Sequence, residues 1–351
     1  MTKLILATLF CCLSTLFTDA QTNLPQVEMV SSGTKTSLRG LSVVNDRVVW
    51  VSGSKGTIGK STDGGKTWKW VQVKGFEDRD FRDIEAFDAS TALIMAVSSP
   101  AYILKTINGG DTWKAVYVNS DSAMFLDAMD FWNEDAGIVI GDPINGKIFI
   151  ARTFDGGDSW KEVPQAFKPT AEKGEALFAA SGTNIRPLDR DEAVFVTGGT
   201  VSKIYIRDGA TKLPLLQGKE TTGANSIAVI KNKKKNGGSN LIVVGGDFNN
   251  PESDSLNCFY STNHGKTWKA PKTPPHGYRS CVEYLSKNQA ITCGITGVDY
   301  TFDGGNTWKL ISKEGFNTCR IAKNGSAIFL AGSNGKIAKI IVPQKKTKSK
   351  L

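Results

Sequence analysis

The stretch Thr301-Phe302-Asp303-Gly304-Gly305-Asn306-Thr307-Trp308 is one of five copies of the pattern Ser/Thr-x-Asp/Asn-x-Gly-x-Ser/Thr-Trp. The Asp or Asn of this pattern can accept hydrogen bonds from backbone N–H groups further along a tight turn, and its Gly permits a positive φ. The Trp ring is large enough to pack between neighbouring sheets. The pattern therefore predicts a β-hairpin, and we interpret its acidic residue as a structural element.

The five copies lie about 40 to 50 residues apart, except for one wide gap, and this is the period of a four-stranded propeller blade. Short apolar runs of strand length surround each copy, and no long helical period competes with them. The residues that define the copies are Asp63 and Trp68, Asn108 and Trp113, Asp155 and Trp160, Asn263 and Trp268, and Asp303 and Trp308. The sequence therefore predicts an all-β fold, a seven-bladed β-propeller of four-stranded antiparallel blades, with six or eight blades as the alternatives.

The wide gap between the third and fourth copies holds further blade material. We expect the fourth blade to begin at residues 177–180 and to end in a degenerate copy near residues 203–209. Residues 227–230 and 241–244 then belong to the fifth blade, with a lysine-rich loop between them.

The last unit, from residue 319 onward, lacks a Trp copy and an outer strand. We expect residues 27–30 to supply that strand, which would close the ring and remove its open edges.

Histidine is scarce, since the 351 residues include only His264 and His276. A multi-histidine metal centre and a Ser-His-Asp enzyme both need supported imidazoles, so we expect no metal and no cofactor. The formal net charge of +9 is partly concentrated in lysine runs at 231–235 and 345–350. No aromatic residues are interleaved with these runs, so we interpret them as solvated segments and expect no nucleic-acid partner.

The N-terminus has the form of a secretory leader, with Lys3, an apolar run over residues 4–17 and small residues before Gln21. We therefore predict a signal peptide over 1–20, cleaved after Ala20, a single propeller domain over 21–342 and a basic disordered tail over 343–351. The expected product is exported to the periplasm or outside the cell, is monomeric and does not span a membrane.

Four cysteines remain after this cleavage: Cys258, Cys281, Cys293 and Cys319. Their spacings match no zinc pattern. Two alternatives stay open, namely two disulfides with three possible pairings, or small buried apolar residues within strands.

The repeated pattern is the Asp box, also called the bacterial neuraminidase repeat. With its inner-strand phrase at residues 81–88, the mature chain resembles the photosystem II stability/assembly factor family of seven-bladed propellers. More distantly it resembles sialidase-like propellers. The closer resemblance implies a non-catalytic scaffold or chaperone that binds partner proteins. Asp boxes occur on proteins of many activities, so they indicate the fold and not the chemistry.

The first strand of each propeller blade lines the axis, so binding residues are expected near its beginning. Aligning these strands on their apolar positions places Arg39, Arg82 and Arg279 at one level. Asp83 and Asp127 lie one residue further along their strands. Glu175 and Asn225 lie nearby in a looser alignment. We predict six contact residues at an axial mouth: Arg39, Arg82, Asp83, Asp127, Arg279 and Arg320.

Converging arginines are fork donors for a carboxylate, a phosphate or an acidic peptide. The alternative is that they pair with the neighbouring acids in a closed ion network that binds nothing. The first interpretation predicts an exported binding or assembly propeller with a protein partner or an acidic ligand and no catalytic residue.

A glycan-active hydrolase is the alternative function. A sialidase would need a tyrosine nucleophile with a separate glutamate partner, whereas Tyr278 and Glu283 are close in sequence, and residues 185–187 read Ile-Arg-Pro instead of Arg-Ile-Pro. A two-carboxylate glycosidase using Asp83 and Asp127 is the other form of this alternative.

Overall fold

The structure is a computed structural model that describes residues 24–31, 33–188, 192–207, 209–230 and 240–343. The predicted signal peptide, the lysine run at 231–235 and all of the basic tail except Pro343 lie outside these residues. Asp208 of the degenerate fourth copy is also outside them.

Short runs of β-branched and aromatic residues form the strands, because such side chains suit a pleated surface that is buried on both faces. The strands up to residue 162 are β1 (Gln26–Ser31), β2 (Leu38–Val43), β3 (Val49–Gly53), β4 (Thr57–Ser61), β5 (Lys69–Gln72), β6 (Phe81–Ala86), β7 (Ala92–Ala96), β8 (Ala101–Thr106), β9 (Lys114–Asn119), β10 (Leu126–Phe131), β11 (Gly137–Ile144), β12 (Lys147–Thr153) and β13 (Lys161–Glu162). The middle of the chain forms β14 (Glu175–Ala176), β15 (Ile185–Pro187), β16 (Ala193–Val196), β17 (Gly198–Gly199), β18 (Lys203–Ile206), β19 (Gly209–Lys212), β20 (Thr222–Ile230), β21 (Asn240–Asp247) and β22 (Cys258–Ser261). The remaining strands are β23 (Cys281–Tyr284), β24 (Ala290–Gly294), β25 (Gly297–Thr301), β26 (Trp308–Ser312), β27 (Thr318–Ile321), β28 (Ile328–Ala331) and β29 (Ile337–Ile341).

Within the described ranges these strands form seven antiparallel sheets arranged as a propeller, six with four strands and one with five. Blades 1, 2, 3 and 6 are β2–β5, β6–β9, β10–β13 and β23–β26. Blade 4 is β15, β16, β18 and β19, while blade 5 contains β20–β22 and, on its inner side, β17 and β14. The predicted all-β seven-bladed fold is therefore confirmed.

Blade 7 closes the ring by combining both ends of the chain. Its order is β27, β28, β29 and β1, and Val27 of β1 pairs with Ile340 of β29. The prediction that residues 27–30 supply the missing outer strand is confirmed. The outer edge of β29 is covered in this way by the N-terminal strand.

Blade 4 begins later than the sequence suggested. Residues 177–180 are not a strand, and the inner strand of this blade is β15, which contains Arg186. The apolar side chains of Leu177 and Ala179 are buried, which is why this stretch resembles a strand in sequence.

Each Asp box forms the expected turn. In the first, Ser61 Oγ accepts the N–H of Gly65 at 2.8 Å, and Asp63 Oδ1 accepts the N–H of Thr67 at 2.9 Å. Gly65 has a φ of +86°, which an L side chain would strain.

The box tryptophans lie between neighbouring blades. Trp113 meets Trp50 of blade 1 edge-on with ring centroids 6.4 Å apart, and Trp160 of blade 3 packs in the core that also contains Leu93 of blade 2. They therefore serve blade-to-blade packing. In the part of the chain that the structure describes, no helix has the length and apolarity needed to cross a membrane.

Candidate binding site

Bulges near the start of the inner strands set the level of the axial side chains. In β2, β6, β10 and β20 the strand register shifts by one residue at this point. A bulged residue is redirected relative to its neighbours. The bulged residues are Arg39, Arg82, Asp127 and Asn225. These four positions form one level, which we call the upper level.

The prediction that Arg279 shares this level is wrong. The N–H of Arg279 donates to the carbonyl of Gly245 in the preceding blade, as the N–H of Leu38 does to Gly332. Arg279 thus corresponds in position to Leu38, the residue before the bulged Arg39 of blade 1, and not to Arg39 itself. It is fully buried and paired with Asp299, with Nε 2.8 Å from Oδ2.

The predicted level of Asp127 also changes. Asp127 is bulged like Arg82, whereas Asp83 lies one residue further along its strand. Apolar positions alone do not reveal a bulge, so the alignment was displaced by one residue.

Asp83 links blades 2 and 3. Its side chain is buried, Oδ1 accepts the N–H of Ile84 at 2.9 Å, and Oδ2 accepts the N–H of Met129 on the next inner strand at 2.7 Å. Burial raises the pKa of this carboxyl to about 8, and Arg320 opposes that shift. Asp83 is therefore committed to internal contacts.

Residues 179–184 cross the propeller axis, and we call them the axial plug. Arg39 Nη1 donates to the carbonyl of Ala180 at 3.2 Å from blade 1, and Arg320 Nη2 donates to the carbonyl of Gly182 at 3.0 Å from blade 7. Ser181 Oγ donates to the carbonyl of Ser280 in blade 6 at 2.7 Å. The plug separates an upper mouth from a lower cavity.

The upper mouth holds two neighbouring arginines. Arg39 forms no salt bridge with any described acid, and its pKa is lowered by burial and then by the charge of Arg82. Arg82 Nε pairs with Asp80 Oδ2 at 2.7 Å, and its guanidinium lies 5.8 Å from the ring centre of Phe125. Both arginines are half-buried.

Asp127 lies at the upper level in a fully buried position. Burial followed by the neighbouring charge of Asp142 raises its pKa well above the ordinary range, and the charge of Arg82 opposes that shift. Burial thus disfavours the negative charge of Asp127 beside the two arginines.

Aromatic rings line the same end of the axis. Phe248 packs edge-on against Phe178 at 5.8 Å and against Tyr278 at 6.3 Å. Tyr278 donates its hydroxyl to Asn225 Oδ1 at 2.8 Å and lies near Arg39. Phe248 remains 38% exposed, so the mouth offers apolar surface beside its charge.

The lower cavity, of about 590 Å³, lies beyond the plug. Arg186 Nη2 lies 2.6 Å from Glu283 Oε2, and its Nη1 lies 3.7 Å from Asp130 Oδ2. Lys323 pairs with Glu85 at the same end. Arg320 also lies 4.0 Å from Glu283, so the basic and acidic side chains among the described residues that line this cavity face one another in pairs. The basic members are Arg186, Arg320 and Lys323, and the acidic members are Glu85, Asp130 and Glu283.

The six predicted contact residues therefore do not form one site. Arg39, Arg82 and Asp127 lie at the upper level, while Arg320 reaches the lower cavity from the other side of the plug. Asp83 and Arg279 are internal. Asn225 joins the upper level, whereas Glu175 is buried against Thr197 and Tyr205.

The sequence missed Arg186. The apolar run at residues 177–180 predicts the inner strand of blade 4 too early. Residues 185–187 alternate between buried and partly exposed side chains, and this alternation is the signal that points to Arg186.

The four cysteines are free and buried, which agrees with the interpretation as small buried residues. Three of them meet, because the Sγ atoms of Cys281, Cys293 and Cys319 all lie within 4.8 Å of one another. Cys258 lies apart, in the core between blades 5 and 6. Linear spacing gave no sign of this cluster, since it joins two strands of blade 6 to the inner strand of blade 7.

Residues 18–122 match the sequence family described as photosynthesis system II assembly factor YCF48, and residues 259–270 match the BNR/Asp-box repeat. No curated protein matches the chain. The solved structure "YCF48 bound to D1 peptide" is similar, with a TM-score of 0.65 and 15% identity over 92% of this chain and 96% of that one.

YCF48 from Cyanidioschyzon merolae gives a TM-score of 0.58 and 17% identity over 90% of this chain and 98% of that one. The WD40 β-propeller domain of Doa1 gives a TM-score of 0.61 and 12% identity over 91% of this chain and 98% of that one. These likenesses show the propeller fold. The resemblance to the photosystem II assembly factor family, predicted from the Asp boxes, is thus confirmed by a sequence match over residues 18–122.

Proposed function

We propose that this chain is a non-catalytic propeller that binds a partner protein during its assembly or stabilisation, and that it holds an acidic segment of the partner at the upper mouth. The family resemblance supports an assembly role. One similar solved structure is a YCF48 bound to a peptide, which supports a peptide-like ligand. We also propose that the chain is exported and cleaved after Ala20.

The observation that carries this proposal is the pair Arg39 and Arg82. Their like charges lie close together, and burial further disfavours the charged form of Arg39. A carboxylate placed between them would relieve both costs and could accept forked hydrogen bonds from each guanidinium. The neighbouring Phe125 and Phe248 would cover apolar side chains of the same segment.

The two acids that the glycosidase alternative uses are inaccessible. The side chains of Asp83 and Asp127 are 1% and 0% exposed, so neither could flank a glycosidic bond. Tyr278 is buried as well and is hydrogen-bonded to Asn225. Turnover of a glycoside that Asp83→Asn abolishes without unfolding the protein would contradict the non-catalytic proposal.

Peptide selection tests the proposed ligand. Peptides enriched from a random display library on the purified full chain should be rich in Asp and Glu. Synthetic versions with Asn and Gln in place of these acids should bind more weakly in fluorescence anisotropy, and binding should fall as salt is added.

Arginine variants test the place of binding. Because a hydrogen bond to a charged group is worth about 1.5–3 kcal/mol, Arg39→Gln and Arg82→Gln should each weaken binding by about 10-fold or more. Arg47→Gln is the matched control, since Arg47 is exposed in the same blade at the opposite end of its inner strand. Equal affinities for all three variants would place the ligand elsewhere.

A further inference from the structure

A cluster of three thiols lies beside the propeller axis. Its cysteines belong neither to the upper mouth nor to the lining of the lower cavity. Cys281 on β23 pairs across the strands with Cys293 on β24, and Cys319 lies on β27 of the next blade. All three side chains are 0% exposed. The Sγ atoms of Cys281 and Cys319 are 3.5 Å apart, and no pair in the cluster exceeds 4.8 Å.

These separations suit a three-coordinate metal ion. A metal–sulfur bond of about 2.3 Å places the sulfurs of a planar trigonal site about 4.0 Å apart. The Cys281–Cys319 pair is about 0.5 Å closer than this value, and the other two pairs lie within 4.8 Å. The cluster would therefore need only small side-chain rotations to surround one ion.

The surroundings of Cys281 differ from those of an apolar core position. Its Sγ lies 3.3 Å from both the N–H and the carbonyl oxygen of Cys319, and 3.6 and 3.9 Å from the hydroxyls of Thr183 and Thr318. Arg320 Nη1 lies 3.9 Å away. Donors and a positive charge aimed at sulfur favour its thiolate, which is the metal-binding form.

Cys258 is the fourth buried cysteine, and like the other three it packs among apolar side chains, here Ile242, Val244 and Trp308. Burial raises the pKa of its thiol, and the Trp308 side chain and the charge of Arg279 oppose that shift. Cys258 lies outside the three-thiol cluster, which makes it the matched control.

The cluster adjoins the lower cavity at Arg320. This side chain lines the cavity, and its Nη1 lies 3.9 Å from Cys281 Sγ. The guanidinium would then offset part of the negative charge of a metal–thiolate site.

We propose that Cys281, Cys293 and Cys319 bind one Cu(I) ion through three sulfur atoms. Soft thiolate ligands select Cu(I), Zn²⁺ and iron–sulfur clusters, and structural zinc sites require four protein ligands. This cluster supplies three thiols and no imidazole or carboxylate. The ion would join blades 6 and 7 next to the seam of the ring.

Anaerobic titration tests the proposal. The reduced full chain should withdraw Cu(I) from a chromophoric chelator with a stoichiometry of one ion per chain, and X-ray absorption should show three sulfur neighbours. Because a ligand that binds only the folded state stabilises it, Cu(I) should also raise the melting temperature.

Cysteine variants locate the site. Cys281→Ala, Cys293→Ala and Cys319→Ala should each lose stoichiometric binding and the Cu(I)-dependent rise in melting temperature, whereas the control Cys258→Ala should keep both. Circular dichroism of the metal-free variants checks their folding. If a variant does not fold, the sulfur count from wild-type absorption spectra still decides the matter.

Several outcomes would overturn the proposal. These are unchanged Cu(I) binding in all three variants, nitrogen or oxygen neighbours in the absorption spectrum, and preferential binding of Zn²⁺ over Cu(I). A Cys281–Cys319 disulfide in protein isolated without reductant would also overturn it. Since the thiols are separate from Arg39 and Arg82, each of these results leaves peptide binding at the upper mouth to be judged independently.

Discussion

Asp and Asn hold the box turn by the same geometry. Asp63 Oδ2 accepts the hydroxyl of Thr67 at 2.6 Å, and in the second box Asn108 Nδ2 donates to the hydroxyl of Thr112 at 2.9 Å. The hydroxyl simply reverses its role, because it can donate or accept. Charge is therefore dispensable to the shape of the turn.

Charge should nevertheless affect stability in acid. Hydrogen bonds from Thr67 and Ser159 lower the pKa of Asp63 and Asp155 to about 2. A folded-state pKa below the unfolded value near 4 stabilises the fold above that value, and the stabilisation disappears as pH falls towards 2. Asp63→Asn with Asp155→Asn should keep the fold at pH 7 and flatten the loss of stability between pH 4 and 2.

Urea unfolding at several pH values checks this expectation. Asp254→Asn is the control, because Asp254 is exposed and outside the boxes. If the free energy of unfolding falls equally between pH 4 and 2 in the box variant and the wild type, the assigned role of these carboxyls is contradicted.

Gly182 in the axial plug should tolerate no side chain. Its φ is +64°, and a Cβ there would overlap the carboxyl group of Asp83. Gly182→Ala should therefore cost more than the about 1–2 kcal/mol of backbone strain alone. Gly75→Ala is a matched control, since Gly75 has a φ of +83° and open space around it. Equal melting temperatures for the two variants would show that the plug is loosely packed.

Among the elements, β1 is the strand that closes the propeller ring. It supplies the outer strand of blade 7, and its Val27 packs against the core between blades 6 and 7. Without β1, β29 would become an unpaired edge, and such edges promote association between chains.

Val27→Asp should therefore destabilise the protein by about 1–3 kcal/mol and increase its light scattering on heating, because a charge would face the core at the seam. Glu28→Gln is the control on the exposed face of the same strand. Unchanged melting and scattering in Val27→Asp would mean that the ring does not depend on this strand.

Across the whole molecule, the network of the lower cavity connects distant parts of the sequence. Arg186 in blade 4 reaches Glu283 in blade 6, and both side chains are mostly buried. A broken buried pair leaves a charge without compensation, whereas an apolar replacement of both partners is often tolerated.

Arg186→Met should accordingly cost about 3 kcal/mol, and adding Glu283→Leu should recover most of this loss. Denaturant unfolding of the single and double variants measures the coupling. Lys69→Met, which breaks the exposed pair with Asp111, should change little. A double variant as unstable as the single one would indicate that Glu283 has another structural role.

The repeat itself carried most of the fold prediction. Asp boxes are local, so each hairpin is determined by residues a few positions apart, and their period indicates the blade. The closure by residues 27–30 followed from the missing outer strand of the last unit.

The site was less predictable because its features are not local. Bulges displaced Arg279 and Asp127 by one residue relative to an alignment of apolar positions. Residues 177–180 were as apolar as an inner strand, but the chain continues from them into the axial plug.

Turn chemistry and strand patterning act over short distances, so the order of residues was enough to predict the blade, a ring of about seven blades and the strand that closes it. The folded chain was needed to show that Arg39 and Arg82 share the upper mouth, that Arg320 lies beyond the plug and that three cysteines meet. These contacts join blades far apart in the chain, and their partners depend on how seven sheets pack around one axis.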